Sequence, residues 1–503
     1  MHNLVFQELD RLEQTLATVP MLRLRVVCPS QEFSQEEMQH GVGRWLSGSR
    51  GLWESLTLGT QTDLAIIAIQ APPVGSRVVE HLFGLLGAAV ARDATRRHAL
   101  VELDDSRPLH LSEKLLANGA VLDRLRSTIA VARKLGHRVE GVSCYATSPR
   151  MADVAQALGV SLVDTQPEHL RWGTKSGSRG IFRQAGVPHL AGTYSPVYSQ
   201  TDIIDAARSV TQGAEDGVVM VKVDHGFGSG HGNAVLTLPA VSGNGPLRAE
   251  TLARVWQPCA PGISPQDFLR RVAANGAIVE KFVRPQPCQV ISFPSALAYL
   301  DPSRGPGGVS LLAIHDQVLG PAGDYVACRF PAHPAYRDSV ATLSRAVLDR
   351  LARRGVSGHI GVDFIVTGTA EKPEVWDIYA TEINMRQTGS THPHRTARAV
   401  LDADWHADGT SAAHGDQPVH YKGTDSIISE RYVGLPAETL ITAIEAEPAL
   451  AYSRGTGRGV IPHLWSALEP FGKIGATIIG SSVADCDRLE QRFVGLIERL
   501  AAR

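Results

Sequence analysis

Two apolar, β-rich runs most constrain what this chain can become. They are Gly361-Val362-Asp363-Phe364-Ile365-Val366 and Glu374-Val375-Trp376-Asp377-Ile378-Tyr379-Ala380-Thr381-Glu382-Ile383-Asn384-Met385-Arg386. The turn between them carries Gly368 and Pro373, which predicts an antiparallel strand pair. Side chains alternate along a strand, so Glu382, Asn384 and Arg386 fall on one face, and Asp363 can join them from the partner strand. Two carboxylates and an amide carbonyl are hard oxygen donors suited to Mg2+. The alternative is a solvated polar face on an edge strand. That reading accounts poorly for an acid-x-amide-x-Arg run inside an otherwise apolar strand.

A chain of 503 residues exceeds one compact core and predicts about three domains. With 43% hydrophobic and 20% charged residues and a net charge of −2, it reads as a folded, soluble protein without an electrostatic footprint for nucleic acid. Six scattered cysteines lack the C-x-x-C spacing of a zinc site and suggest no disulfide framework, so a reducing cytoplasm is expected. The N-terminus carries Glu8, Asp10 and Glu13 where a signal peptide would need an apolar stretch, and no run approaches the ~20 apolar residues of a membrane span.

From Leu22 to about Thr165, apolar runs (Leu22-Val27, Leu64-Ile69, Ala99-Leu103, Val139-Cys144) alternate with helical patterns such as Leu111-Lys134. This alternation predicts an open parallel α/β sheet. No G-x-G-x-x-G follows any of these strands, so a dinucleotide site lacks its phosphate turn. A helix is expected over Lys175-Ala185, closed by Gly186 and Pro188. Taken alone, Lys175 reads as a solvated helix lysine, because Gly-Thr-Lys-Ser lacks the glycine spacing of a phosphate loop.

Further on, an apolar strand carrying Lys222 runs into Gly226, Gly228, Gly230 and Gly232 and out into a second apolar strand. Alternating glycines let backbone N–H groups approach an anion, and a buried ammonium needs a partner that a phosphate could supply. A flexible hairpin with an edge lysine is the alternative. Lys222 precedes the glycines, the reverse of the protein-kinase order, and Asp363-Phe364-Ile365 lacks the glycine of a D-F-G. Ala277-Val283 reads as a short strand ending at Pro285 and Pro287, and Arg337-Arg353 as a helix. The polar stretch Asp404-Asp416 reads as a linker or insertion, and His392-Pro393-His394 as a helix-start turn rather than a metal motif. Val460-Leu464 and Gly472-Gly480 are expected as strands, with Val483-Leu500 as a closing helix.

In this order the pieces resemble the ATP-grasp superfamily of carboxylate-amine ligases over roughly residues 166–400. They are Lys175 with Gly186-Val187-Pro188, Lys222 before its glycine loop, Val279-Glu280-Lys281-Phe282-Val283, Asp363, and Glu382-Ile383-Asn384-Met385-Arg386-Gln387-Thr388-Gly389. Thr381-Thr391 and the tail motifs Gly459-Trp465 and Phe471-Gly475 further resemble the pheganomycin-type peptide ligases. The resemblance implies an open α/β pre-ATP-grasp domain (1–165), an α+β ATP-grasp core (166–403), and a linker with a C-terminal α/β segment (404–503).

It also implies roles. Lys175 and Lys222 would contact ATP phosphates under a lid containing Gly226, Gly228 and Gly230. Glu280 and the backbone of Lys281 and Val283 would sit at the adenine. Asp363, Glu382 and Asn384 would hold Mg2+ or Mn2+, and Arg386 would face the transferred phosphate. Gln289 stands where many relatives carry a ribose-binding acid. The implied reaction joins a small-molecule carboxylate to an amine or peptide through an acyl phosphate, in the cytoplasm, without nucleic acid or membrane partners. A small-molecule kinase, a thiol ligase and a non-catalytic nucleotide-binding regulator are the competing readings. Oligomeric state, a homo-oligomer included, is left open.

Overall fold

A computed structural model describes residues 2–34, 38, 44–212, 217–226, 231–238, 255–260, 262–284, 289–320, 323–369 and 372–502. The four expected N-terminal strands form a parallel sheet in the order His98–Glu102, Leu64–Gln70, Arg23–Val27, Arg138–Ser143. Every residue of Leu64–Gln70 is buried, as befits a parallel strand covered on both faces. On one face lie the helices His2–Thr18 and Gly119–Lys134, contributing Leu9, Leu12, Leu125 and Ile129. The helical pattern over 111–134 folds as two helices, because Asn118 interrupts it and caps the second, its side-chain oxygen accepting from the Val121 N–H at 3.2 Å.

The opposite face of that sheet does not end in its own domain. Leu64, Ile66 and Ala68 share one core with Leu56 and Leu82 and with Leu440, Ile461, Trp465 and Phe493 from the C-terminal part of the chain. A second sheet, antiparallel, runs Trp256–Pro258, Asn233–Thr237, Val218–Val223, Ala277–Lys281.

The largest sheet has nine strands. Its path is Lys372–Asn384, Gly358–Thr369, Pro294–Leu300, Val309–Leu319, Tyr325–Phe330, His420–Ile428, Lys473–Gly480, Gly459–His463, with Gln289–Ser292 also paired to Gly358–Thr369. The helix Pro334–Ala352 buries Val340, Val347, Leu348 and Leu351 against it. Strands from residues 289–384 and from 420–480 are therefore joined in one hydrogen-bonded sheet. Between them, residues 404–418 form a small three-stranded antiparallel sheet of their own.

Candidate active site

The predicted strand pair is present with Asp363 directly opposite Glu382 and Gly361 opposite Asn384. A bulge after Asp363 absorbs one residue of the partner strand, since Phe364 already faces Ala380. Asp363 accepts from the Ser295 hydroxyl at 2.6 Å, the Gln317 amide at 2.9 Å and the Asn384 amide at 2.8 Å. Burial, with the Glu382 charge opposite, pushes the Asp363 carboxyl up to about 6. Glu382 is held below its usual value: burial opposes this, and the Lys175 ammonium outweighs it. Two enclosed carboxylates facing each other beside an amide are a donor set that fits a divalent oxygen-seeking cation, which would relieve their mutual repulsion. Arg386 lies beyond the strand, which ends at Asn384. It therefore does not continue the alternating face as its spacing suggested, although its charge still lowers the pKa values of both acids. Its guanidinium donates to the Gln387 carbonyl at 3.0 Å and lies 5.8 Å from the Phe33 ring.

The helix Lys175–Ala185 has the expected ends, capped by the Thr174 hydroxyl on the Gly177 N–H at 2.9 Å and closed by Gly186 in the left-handed region at φ 68°. Lys175 is not the solvated lysine its local sequence suggested. It is 4% exposed, and its Nζ lies 2.5 Å from Glu382 Oε1. The next residue ties the helix start to the second sheet, since Asp224 accepts from the Ser176 N–H at 2.6 Å and the Ser176 hydroxyl at 3.0 Å.

Lys222 sits on Val218–Val223, a strand paired on both sides, so the edge-lysine alternative does not hold. Its partner is protein: Nζ lies 2.5 Å from Glu280 Oε1. The partner that a phosphate could have supplied is therefore already present in the protein. The second oxygen of Glu280 receives Arg179 at 3.0 Å, and the Arg179 and Glu280 side chains are 2% and 4% exposed. Lys281 is exposed, and its N–H donates to the Ala191 carbonyl at 2.8 Å, so that donor is already used; Val283 lies just past the strand end. Gly226 is exposed at the end of the lysine strand, while Gly228 and Gly230 lie outside the described residues.

One connecting segment brings these groups together. After the helix, His189 bridges Ala380 on the nine-stranded sheet, and Gly192 bridges Glu280 on the four-stranded one. Arg179, Asp224, Ser295 and Gln317 were not singled out from sequence. Of these only Arg179 carried a signal, being four residues from Lys175 and so on the same helix face.

Residues 443–493 match the family described as PGM1 C-terminal domain. Over 400 residues the chain is 29% identical to the L-propargylglycine–L-glutamate ligase of Streptantibioticus cattleyicolor, covering 78% of this chain and 77% of the relative. Its structure is similar to the biotin carboxylase of Campylobacter jejuni (TM-score 0.50, 10% identity, 92% of this chain and 88% of that one). It is also similar to pyruvate carboxylase of Rhizobium etli (TM-score 0.52, 14% identity, 96% of this chain and 39% of that one). With its sheets in this order, and strand-borne acids close to Lys175, the chain has the fold of these ATP-grasp proteins.

Proposed function

We propose that this protein is an ATP-dependent ligase that joins an amino acid-like carboxylate to the amine of an amino acid or peptide through an acyl phosphate. The observation that carries the reading is that buried Lys175 meets the acid face of Asp363, Glu382 and Asn384, while half-buried Lys222, paired with Glu280, is brought towards it by one connecting segment. An ammonium has three N–H donors. Each lysine spends one on its carboxylate and keeps others for phosphate oxygens of ATP. Glu280, itself fixed by Arg179, holds Lys222 in place. The backbone around Lys281 and Val283 offers an edge to the adenine, with the Lys281 carbonyl rather than its N–H in that role.

Asp363, Glu382 and Asn384 would hold Mg2+ or Mn2+, and when bound the ion offsets charge on the phosphate oxygens. Arg386 presents a planar fork to the transferred phosphoryl group and the acyl oxygen. The substrate carboxylate attacks the γ-phosphate and ADP leaves; the amine then adds to the acyl carbon and phosphate leaves. The relative named as a ligase of L-propargylglycine and L-glutamate supports an unusual amino acid as one of the two substrates.

The test is an ADP-release screen over amino-acid pairs and short peptides with mass detection of the product. An amide with ADP supports the ligase. A stable phosphorylated product would make the protein a kinase, and bound ATP with no turnover on any carboxylate would make it a regulator. Arg386→Ala should lose ADP release by on the order of 10^2–10^3 while still binding ATP; near-normal turnover would sink its role.

A further inference from the structure

Behind the loop that carries Arg386, three side chains that the ligase reading does not use converge from separate elements. His392 comes from the first turn of the helix Thr391–Val400, Asp425 from His420–Ile428, and His463 from the end of Gly459–His463. One nitrogen from each imidazole and one Asp425 oxygen all lie within 4.8 Å of one another. His463 Nε2 is 2.6 Å and His392 Nε2 is 3.5 Å from Asp425 Oδ1, and the two rings are 4.1 Å apart between centroids.

The cluster is built, yet incomplete in its bonding. His392 is 2% exposed, and neither of its ring nitrogens has a hydrogen-bond partner among the described residues. Burying such groups unsatisfied forfeits their hydration with nothing in return, which is why they are rare. A cavity of about 10 Å³, room for one water-sized sphere, opens beside His392 and His463. Around it Trp53 Nε1, Trp465 Nε1 and Thr477 Oγ1 are likewise buried without partners. The outer oxygen of Asp425 is held by Arg50 at 2.5 Å. Gly475 leaves the space that the His463 ring occupies, since a Cβ there would collide with it.

We propose that His392, Asp425 and His463 bind one divalent transition-metal ion of the Zn2+ or Co2+ type. Two imidazoles and a carboxylate are a recognised ligand set for such ions, with bonds of about 2.0–2.2 Å that place neighbouring ligand atoms about 3.3 Å apart. The spread from 2.6 to 3.5 Å brackets that separation. The ion takes the position of the proton between His463 and Asp425, that proton moving to His463 Nδ1. Water on the ion's open positions would meet the unpaired groups of Trp53, Trp465 and Thr477. Arg50 plays the outer partner that orients a ligating carboxylate. Two imidazole nitrogens suit Zn2+ or Co2+ but match Mg2+ poorly, since it prefers an all-oxygen octahedral set, so the site selects against Mg2+. The ion would pin the start of the helix after the Arg386 loop to both strands. This proposal stands apart from the ligase reading, because none of its ligands is assigned to ATP.

The test uses the full chain, stripped with chelator and kept free of Mg2+ and nucleotide, then titrated with Co2+. The wild type should take up one Co2+ per chain beyond any held by Asp363 and Glu382, with visible d–d absorption that Zn2+ displaces and Mg2+ does not. His392→Ala and His463→Ala should lose that band, whereas His394→Ala and Glu382→Gln should keep it. Should the alanine variants fail to fold, anomalous scattering from Co2+-soaked wild-type crystals decides. A peak between the three side chains supports the site, and a water there overturns it. No Co2+ uptake by the wild type, a band retained in both histidine variants, or a band lost in Glu382→Gln would also overturn it.

Discussion

Glu280 shows how much hangs on single side chains here. Its two oxygens hold Lys222 at 2.5 Å and Arg179 at 3.0 Å, with Arg179 and Glu280 almost wholly out of water. Arg179 also donates to the Thr193 carbonyl at 2.7 Å and the Leu190 carbonyl at 2.8 Å, so removing it strips the donor from these two acceptors and from one oxygen of Glu280, which keeps only Lys222, at a cost of about 3–5 kcal/mol in all. Arg179→Met should therefore lower unfolding stability in urea by that amount. Lys222→Met, whose side chain is 14% exposed, should cost less and act mainly on ATP affinity. A larger loss of stability in the Lys222 variant would reverse this ranking. The lysines themselves were legible, one opening a helix and one inside a β-branched run. Their partners were not, because Glu382 and Glu280 lie 207 and 58 positions away and reach them only through sheet packing.

At the level of elements, the helix Lys175–Ala185 is placed by its ends. The Thr174 hydroxyl satisfies the Gly177 N–H, and Ser176 is bound by Asp224 from the neighbouring sheet. Thr174→Ala should cost about 1 kcal/mol in stability and weaken ATP binding by letting the Lys175 turn fray. Thermal melting and calorimetric titration with ATP read the two effects, and an unchanged affinity would separate the cap from the site. Both ends of this helix could be read in advance, because Thr174 and Gly186 act locally. The small sheet over 404–418 could not, its strands being too short for a hydrophobic period to register.

Across the whole molecule, the N-terminal parallel sheet reaches the active-site loop through Gln387. The Gln387 amide donates to Glu54 Oε1 and to the Cys144 carbonyl, both at 3.2 Å, and its N–H donates to the Tyr145 carbonyl at 2.9 Å. Burial pushes the Glu54 carboxyl up to about 7, against the opposing charge of Arg25. The folded protein thus keeps a proton that the unfolded chain releases from about pH 4.5 upward. Its stability should fall as pH rises from there to about 7, by up to about 3 kcal/mol from this group. Glu54→Gln should be spared that loss, so its stability relative to wild type should grow across the window. Denaturation at pH 5 and pH 8 measures it, and parallel curves would refute the assignment.

The sequence by itself determined the elements and the kind of chemistry. Period-two runs specified the strand pair that sets Asp363 opposite Glu382, and caps and glycines specified the lysine helix. Backbone periodicity and capping act over a few residues, and a single chain displays them openly. Only the tertiary structure decided the partners: Glu280 between Lys222 and Arg179, the N-terminal sheet behind Gln387, and His392 against His463 rather than with His394. Those contacts arise where distant strands stack and a shared core closes over them, and sequence spacing carries no measure of that distance.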